Sequence, residues 1–436
     1  MATYFAYGSQ NTIITTEKKC ELLHDLLLDQ LSGIGRKILV VPPDITRLPS
    51  NAGELTKIIY QIWLETRGKQ FDILPAIGTH TPMTKSQIKT MFGDLNQANY
   101  HDHNWRVGLS QLGRVPSHLV SEVSNGKVDY DISVAVNRRI VESEYDLILS
   151  IGQVIPHEVA GMANGFKNIL IGTGGQEMIN KSHFLGAADG IERLLGRTNT
   201  SVRQIFNYAH DNFLKKIGII YIMTVMETSK SGETVMRGFF AGDDHETFEK
   251  ATELSQAVNI NWLDKPLNQV VVYLDPIEFK STWLGNKAIY RTRMAIADNG
   301  ELIVIAPGLK EFGEDPEIDY LIRKYGYSGT DTTLQQVSEN AELQANLSAA
   351  AHLIHGTSDG RFRVTYATSD LSREEIEGVG YEWADVNQMI SQFNIEQLTG
   401  GFNNDLFFIS NPAQGLWIAK GSKLLLVIGI VFFEDS

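Results

Sequence analysis

The chain has 436 residues, 43% of them hydrophobic and 21% charged, with a formal net charge of -14 and a single cysteine, Cys20. This length predicts two domains, each able to bury its own core, and the composition excludes a disordered chain. The acidity argues against a nucleic-acid partner, which needs a basic phosphate-reading face, and one cysteine excludes a disulfide framework or a thiolate cluster.

The N-terminal stretch M-A-T-Y-F-A-Y-G lacks a basic segment followed by an apolar one, so no export signal is expected. The apolar run at 424–433 is far shorter than the ~20 residues that cross a bilayer. It reads as a buried strand, and a cytoplasmic protein with no membrane partner is expected.

Residues 37–41 read as a short buried strand that runs into P-P-D-I-T-R-L-P-S. An amphipathic helix pattern at 55–65 follows, then a strand at 71–77 ending in G-T-H-T-P-M-T, and a third strand at 146–151 just before Pro156 and His157. Strand, polar loop, helix, three times over, predicts a parallel sheet with its site at the strand C-termini. Strands at 218–224 and 235–240 and a helix at 245–258 complete this region. A break at Asp264-Lys265-Pro266-Leu267 introduces a strand at 270–274, a helix at 283–297 and a strand at 302–306. The fold class expected is α/β, with two domains (1–265 for cofactor and catalysis, 266–436 a second α/β domain), mainly parallel sheets flanked by helices, and an active site in the interdomain cleft. The last strands stay in the second domain or return to the first.

The stretch from Pro156 to His183 concentrates the chemistry. It sets His157, Lys167 and His183 around glycines at 161, 165, 172, 174 and 175. Glycine permits close backbone approach, lysine serves as phosphate ligand or nucleophilic amine, and histidine binds metal or moves protons. Gly172-Thr173-Gly174-Gly175 suits either an anion nest or a plain tight turn. Asp44-Ile45-Thr46-Arg47, stiffened by prolines, offers an arginine for bidentate capture of a carboxylate, or else a structural Asp–Arg pair. His80 stands at the mouth of the sheet with no structural duty in the pattern, while Thr81 or Thr84 suits a helix cap. His101-Asp102-His103 reads as a solvated loop. His352 and His355 read as helix-C-terminal histidines, favoured there electrostatically.

D-I-T-R at 44–47, G-T-H-T-P-M-T at 78–84 and P-H-E-V-A-G-M-A-N-G-F-K at 156–167, with His183 and Lys287 beyond, resemble the nickel-pincer-nucleotide lactate racemases and their homologues. Motif order and the spacings of His157, Lys167 and His183 carry the resemblance. It implies a nickel cofactor, pyridinium-3,5-bisthiocarboxylic acid mononucleotide, tethered to Lys167, with His183 as a nickel ligand and Gly172 and Thr173 beside the cofactor. His80 and His157 would act as bases on opposite faces of a small 2-hydroxy acid. Arg47 and Lys287 would hold its carboxylate or hydroxyl, with Asp44 in support. The implied activity is racemisation or epimerisation by reversible hydride transfer, which avoids a carbanion beside a carboxylate.

Leu284 stands where lactate racemases carry a glutamine, three residues before Lys287. This predicts a substrate other than lactate, an aldonate or another larger 2-hydroxy acid. Two further readings are a metal-dependent hydrolase or lyase with His80, His157 and His183 as ligands, and a non-catalytic ligand-binding homologue.

Overall fold

The computed structural model describes residues 2–28, 36–142, 144–228, 234–404 and 406–420; the strand expected at 424–433 lies outside the described residues. The chain forms two compact units, Met1–Leu185 with Leu194–Asn259, and Gly186–Arg193 with Ile260–Ser436.

The first unit is built on a seven-stranded sheet. In chain order its strands are β1 (Thr3–Gly8), β2 (Lys37–Val41), β3 (Gln70–Ile73), β4 (Ala98–Tyr100), β5 (Leu147–Gln153), β6 (Ile219–Thr228) and β7 (Thr234–Gly242), arranged β1-β7-β6-β5-β2-β3-β4. The pairings among β6, β5, β2, β3 and β4 are parallel, and β7 and β1 add antiparallel edges. β2 and β5 are almost wholly buried, as expected for parallel strands covered on both faces. The helices Thr16–Leu28 and Ala52–Glu65 set Leu23, Leu27, Leu55 and Ile59 into one core with Ile38, Val40, Phe71 and Leu149. β3 stops at Ile73 rather than continuing to 77, because Pro75 cannot donate to a ladder.

The second unit carries strands β8 (Leu267–Tyr273), β9 (Ile296–Ile305), β10 (Arg363–Thr368), β11 (Glu382–Asp385), β12 (Gly401–Asn403) and β13 (Leu406–Ile409), in the order β11-β10-β9-β8-β13-β12. All pairings are parallel except β12 with β13. Both units are thus mainly parallel sheets flanked by helices. The single helix expected at 283–297 is instead two short ones, Thr282–Gly285 and Lys287–Thr292, followed by β9. Asn286 at the junction is fully buried, and its Oδ1 accepts from the hydroxyls of Tyr366 (2.7 Å) and Tyr381 (3.2 Å).

Candidate active site

Loops beyond the C-terminal ends of β2, β3 and β5 carry Asp44, Arg47, His80 and His157. A parallel bridge between Pro43 and Ala76, with the Ala76 N–H donating to Pro42 O at 2.7 Å, extends the pairing of β2 and β3 past the regular ladder. That extension sets Asp44 beside His80. Asp44 caps the 3-10 turn Ile45–Ser50, its Oδ1 accepting from the Thr46 amide at 3.0 Å and the Thr46 hydroxyl at 2.5 Å. Its Oδ2 lies 2.6 Å from His80 Nδ1. The Asp44 side chain is 5% exposed and that of His80 54%, so a buried carboxylate orients an outward-facing imidazole.

Burial pushes the Asp44 carboxyl up, but the bonds from His80 and Thr46 outweigh it and hold the group below the usual carboxylate range. An ionised carboxylate only accepts, so His80 donates from Nδ1 and turns Nε2 outward. Asp44 therefore pairs with His80 rather than with Arg47, which is exposed.

His157 lies in a tight antiparallel pairing of Pro156–His157 with Gly161–Met162. Gly161 has φ +78°, and a Cβ there would meet Arg197 O at 2.2 Å, so the turn requires glycine. Within it, His157 Nδ1 lies 3.1 Å from the Val159 amide and 3.4 Å from that of Ala160. A ring nitrogen that accepts from N–H groups carries no proton, so neutral His157 keeps its proton on Nε2. Burial, joined by the charges of Lys167, His183 and Arg47 against that of Glu158, drives its pKa well below the ordinary histidine value. Two bases on opposite faces of the substrate were expected. In the structure His80 donates from Nδ1 to Asp44, whereas His157 accepts at Nδ1 and carries its proton on Nε2.

Lys167 lies on the short helix Phe166–Leu170. The next residue fixes that helix to the sheet: Asn168 Nδ2 donates to Val41 O at 3.1 Å and Ser150 Oγ at 2.9 Å. Burial, then the nearby Arg47 and Arg203 charges against Glu158, lower the Lys167 ammonium to about 8. A fair share of that lysine is therefore free amine near neutral pH, the nucleophilic form. His183, on the helix Gln176–Asp189, donates from Nδ1 to Ile179 O at 2.6 Å. Burial and the Lys167 charge push it down to about 4. It is neutral with Nε2 bare, the form that ligates metal.

Gly172 and Thr173 do not form an anion nest. The amides of Gly172, Thr173, Gly174 and Gly175 donate to Lys167 O, Ile169 O, Ile171 O and Ala135 O, and the Thr173 hydroxyl donates to Ile169 O at 2.7 Å. The loop is a packed turn. His103 departs from the solvated loop expected for it: it is buried, with Nε2 donating to Gly174 O at 3.1 Å and Nδ1 accepting from Asn137 Nδ2 at 3.2 Å. Burial lowers it to about 4.

His352 and His355 do end the helix Leu347–His355. However, both are buried, and burial pushes His352 down to about 3. It is a neutral core histidine beside Tyr327 Oη at 3.0 Å, so no charge–dipole attraction holds it there. Thr84 caps the helix Lys85–Phe92 in a capping box with Gln87. Lys287 opens the helix Lys287–Thr292 of the second unit, its ammonium 5.9 Å from the Phe279 ring centroid.

Sequence reasoning passed over Arg203, Asn164 and Asn168. Arg203 is buried and donates to Met162 O at 2.6 Å and Asn164 O at 3.3 Å, clamping the segment before Lys167. Asn164 takes φ +69° there, and its buried side-chain amide has no protein partner. The dipeptide Asn164-Gly165 was the available signal, since asparagine and glycine tolerate the left-handed region.

Residues 21–193 match the family described as the lactate racemase N-terminal domain. A lactate racemase from Thermoanaerobacterium thermosaccharolyticum is 25% identical over 290 residues, which span 64% of this chain and 62% of that protein. Among solved structures, a protein from Thermotoga maritima is similar with a TM-score of 0.80 and 26% identity, over 96% of this chain and 100% of the other. The lactate racemase apoprotein from T. thermosaccharolyticum shares the fold with a TM-score of 0.70 and 18% identity, over 93% of each chain. Among the described residues no helix is long and apolar enough to cross a membrane.

Proposed function

We propose that the chain is a member of the lactate racemase family, whose N-terminal domain matches residues 21–193, and that it is an isomerase that racemises or epimerises a 2-hydroxy acid by reversible hydride transfer. The observation that carries this reading is the set of three histidines whose Nδ1 atoms are each committed: His80 to Asp44, His157 to main-chain amides, His183 to Ile179 O.

The residues fit the nickel-pincer nucleotide. His183 offers a neutral Nε2 for nickel, Lys167 a partly deprotonated amine for covalent attachment, and Asn164 a buried amide without a protein partner. When bound, that group supplies an acceptor for the substrate's Cα hydride. The protein's own part is proton handling and charge. His80 Nε2 takes the hydroxyl proton, and Asp44 stabilises the imidazolium that results. The Nε2–H of His157 donates to the substrate oxygen and steadies the charge on it. Arg47, exposed beside this pair, is suited to the carboxylate.

Leu284 lies in the helix Thr282–Gly285 and cannot supply the polar contact of a glutamine. The substrate proposed is therefore an aldonate or another larger 2-hydroxy acid rather than lactate. The test is co-expression with the cofactor-building enzymes, intact-mass and nickel analysis, and a screen of enantiopure 2-hydroxy acids. Interconversion with a mass adduct at Lys167 supports the reading. A fully loaded protein inert toward every acid in the screen overturns it.

A further inference from the structure

A second group of ligating side chains stands apart from the motifs above. The helix Ser201–Ala209 runs into a π-helical turn, His210–Leu214, a rare geometry frequent at functional sites. His210 and Asp211 open that turn, and His245 begins the helix His245–Asn259 after β7. The three meet at one carboxylate. Asp211 Oδ1 is 3.1 Å from His210 Nδ1 and 3.0 Å from His245 Nε2, with Oδ2 3.3 Å from the latter. One donor atom from each residue falls within 4.8 Å of the others. Around a tetrahedral zinc, with bonds of ~2.0–2.2 Å, donor atoms sit about 3.3 Å apart, so small side-chain rotations suffice.

The surroundings point the same way. His210 is 3% exposed and its ring stacks on Phe166 at 3.7 Å and 6°, which fixes the plane in which its lone pair points. His245 stands edge-on to the same ring. Both Phe166 and His245 line a cavity of about 230 Å³ whose wall includes Arg203 and Tyr221. Arg203 is 4% exposed and Tyr221 2%, yet Arg203 Nε and Tyr221 Oη have no hydrogen-bond partner. Both atoms are buried within residues of the cavity wall.

We propose that His210, Asp211 and His245 bind a divalent transition-metal ion, zinc by donor type, at the edge of this cavity. Two neutral imidazoles and one carboxylate form a three-ligand set that leaves a position open.

The test is titration of metal-free, cofactor-free protein with cobalt(II), followed by visible absorption, with zinc affinity measured by competition against a chromophoric chelator. One equivalent of cobalt should give the ligand-field bands of a four- or five-coordinate ion. Losing a supporting partner of a ligand costs ~10–100-fold in metal affinity, so losing a ligand should cost at least the upper end of that range. His245→Ala and Asp211→Asn should each do so; the asparagine keeps the shape of the side chain and hydrogen-bonding capacity, so the fold is retained. His183→Ala should leave the bands unchanged. Absence of a stoichiometric visible band, or a band that survives both substitutions, overturns the proposal. No step of this assay depends on turnover, so its failure leaves the isomerase reading intact.

Discussion

Asp44 Oδ2 and His80 Nδ1, 36 residues apart in the chain, meet at 2.6 Å across the extended pairing of β2 and β3. The carboxylate fixes the tautomer of the base. Asp44→Asn should therefore cut kcat by at least ~100-fold, since loss of an orienting carboxylate from a catalytic histidine costs up to ~10⁴-fold. KM should change little. A kcat within a factor of about three of wild type would place Asp44 outside the mechanism.

His157 offers a sharper discrimination. Glutamine places an N–H close to the position of Nε2, so His157→Gln should retain activity within ~10–100-fold if the residue donates a hydrogen bond, whereas His157→Phe should abolish it. Equal and complete loss in both would return His157 to the role of a proton-transferring base. His80→Gln, which lacks a basic lone pair, should be inactive.

Lys167 in unloaded protein should react with acylating reagents with a midpoint near its lowered pKa of about 8, against 10.5 for an ordinary lysine. Burial is the largest cause and the Arg47 charge the next, so Arg47→Met should move the midpoint upward. Peptide mapping after pulse labelling across pH 6–11 would check this, and a wild-type midpoint above 10 would refute it.

His103 and His352, buried in different units, are held near 4 and 3 against 6.5 in the unfolded chain. Because the folded pKa is depressed, the unfolded state binds the proton first. Stability is fully present above about pH 6.5 and falls as pH drops toward 4, at up to ~1.4 kcal/mol per pH unit for each histidine. Urea unfolding at pH 7, 6 and 5 should show that decline, and His103→Asn should reduce the slope in the first unit. An unchanged slope would mean that His103 titrates normally.

β2, β3 and β5–β9 were legible because each is a short apolar run bounded by turn residues, whereas β1, β4 and β10–β13 were not read from the sequence. The placement of the polar loops at the C-terminal ends of β2, β3 and β5 was legible because such loops cluster at one edge of a parallel sheet. The split at Asn286 was not, since two tyrosines from distant strands decide it and local propensity says nothing of them. His103 was misread for the same reason: its partners, Gly174 and Asn137, are remote in sequence. The orientation of His157 escaped prediction because it depends on which ring nitrogen the turn occupies, a matter of a few ångströms.

The clamp of Arg203 on Met162 and Asn164 bears on how the segment before Lys167 is ordered. That guanidinium, with the glycines that permit the turn, sets the segment before Lys167 while the chain folds. The conformational entropy of that segment is thus lost before any group is attached. Under the function proposed above, a group attached at Lys167 would meet a segment already set by these contacts.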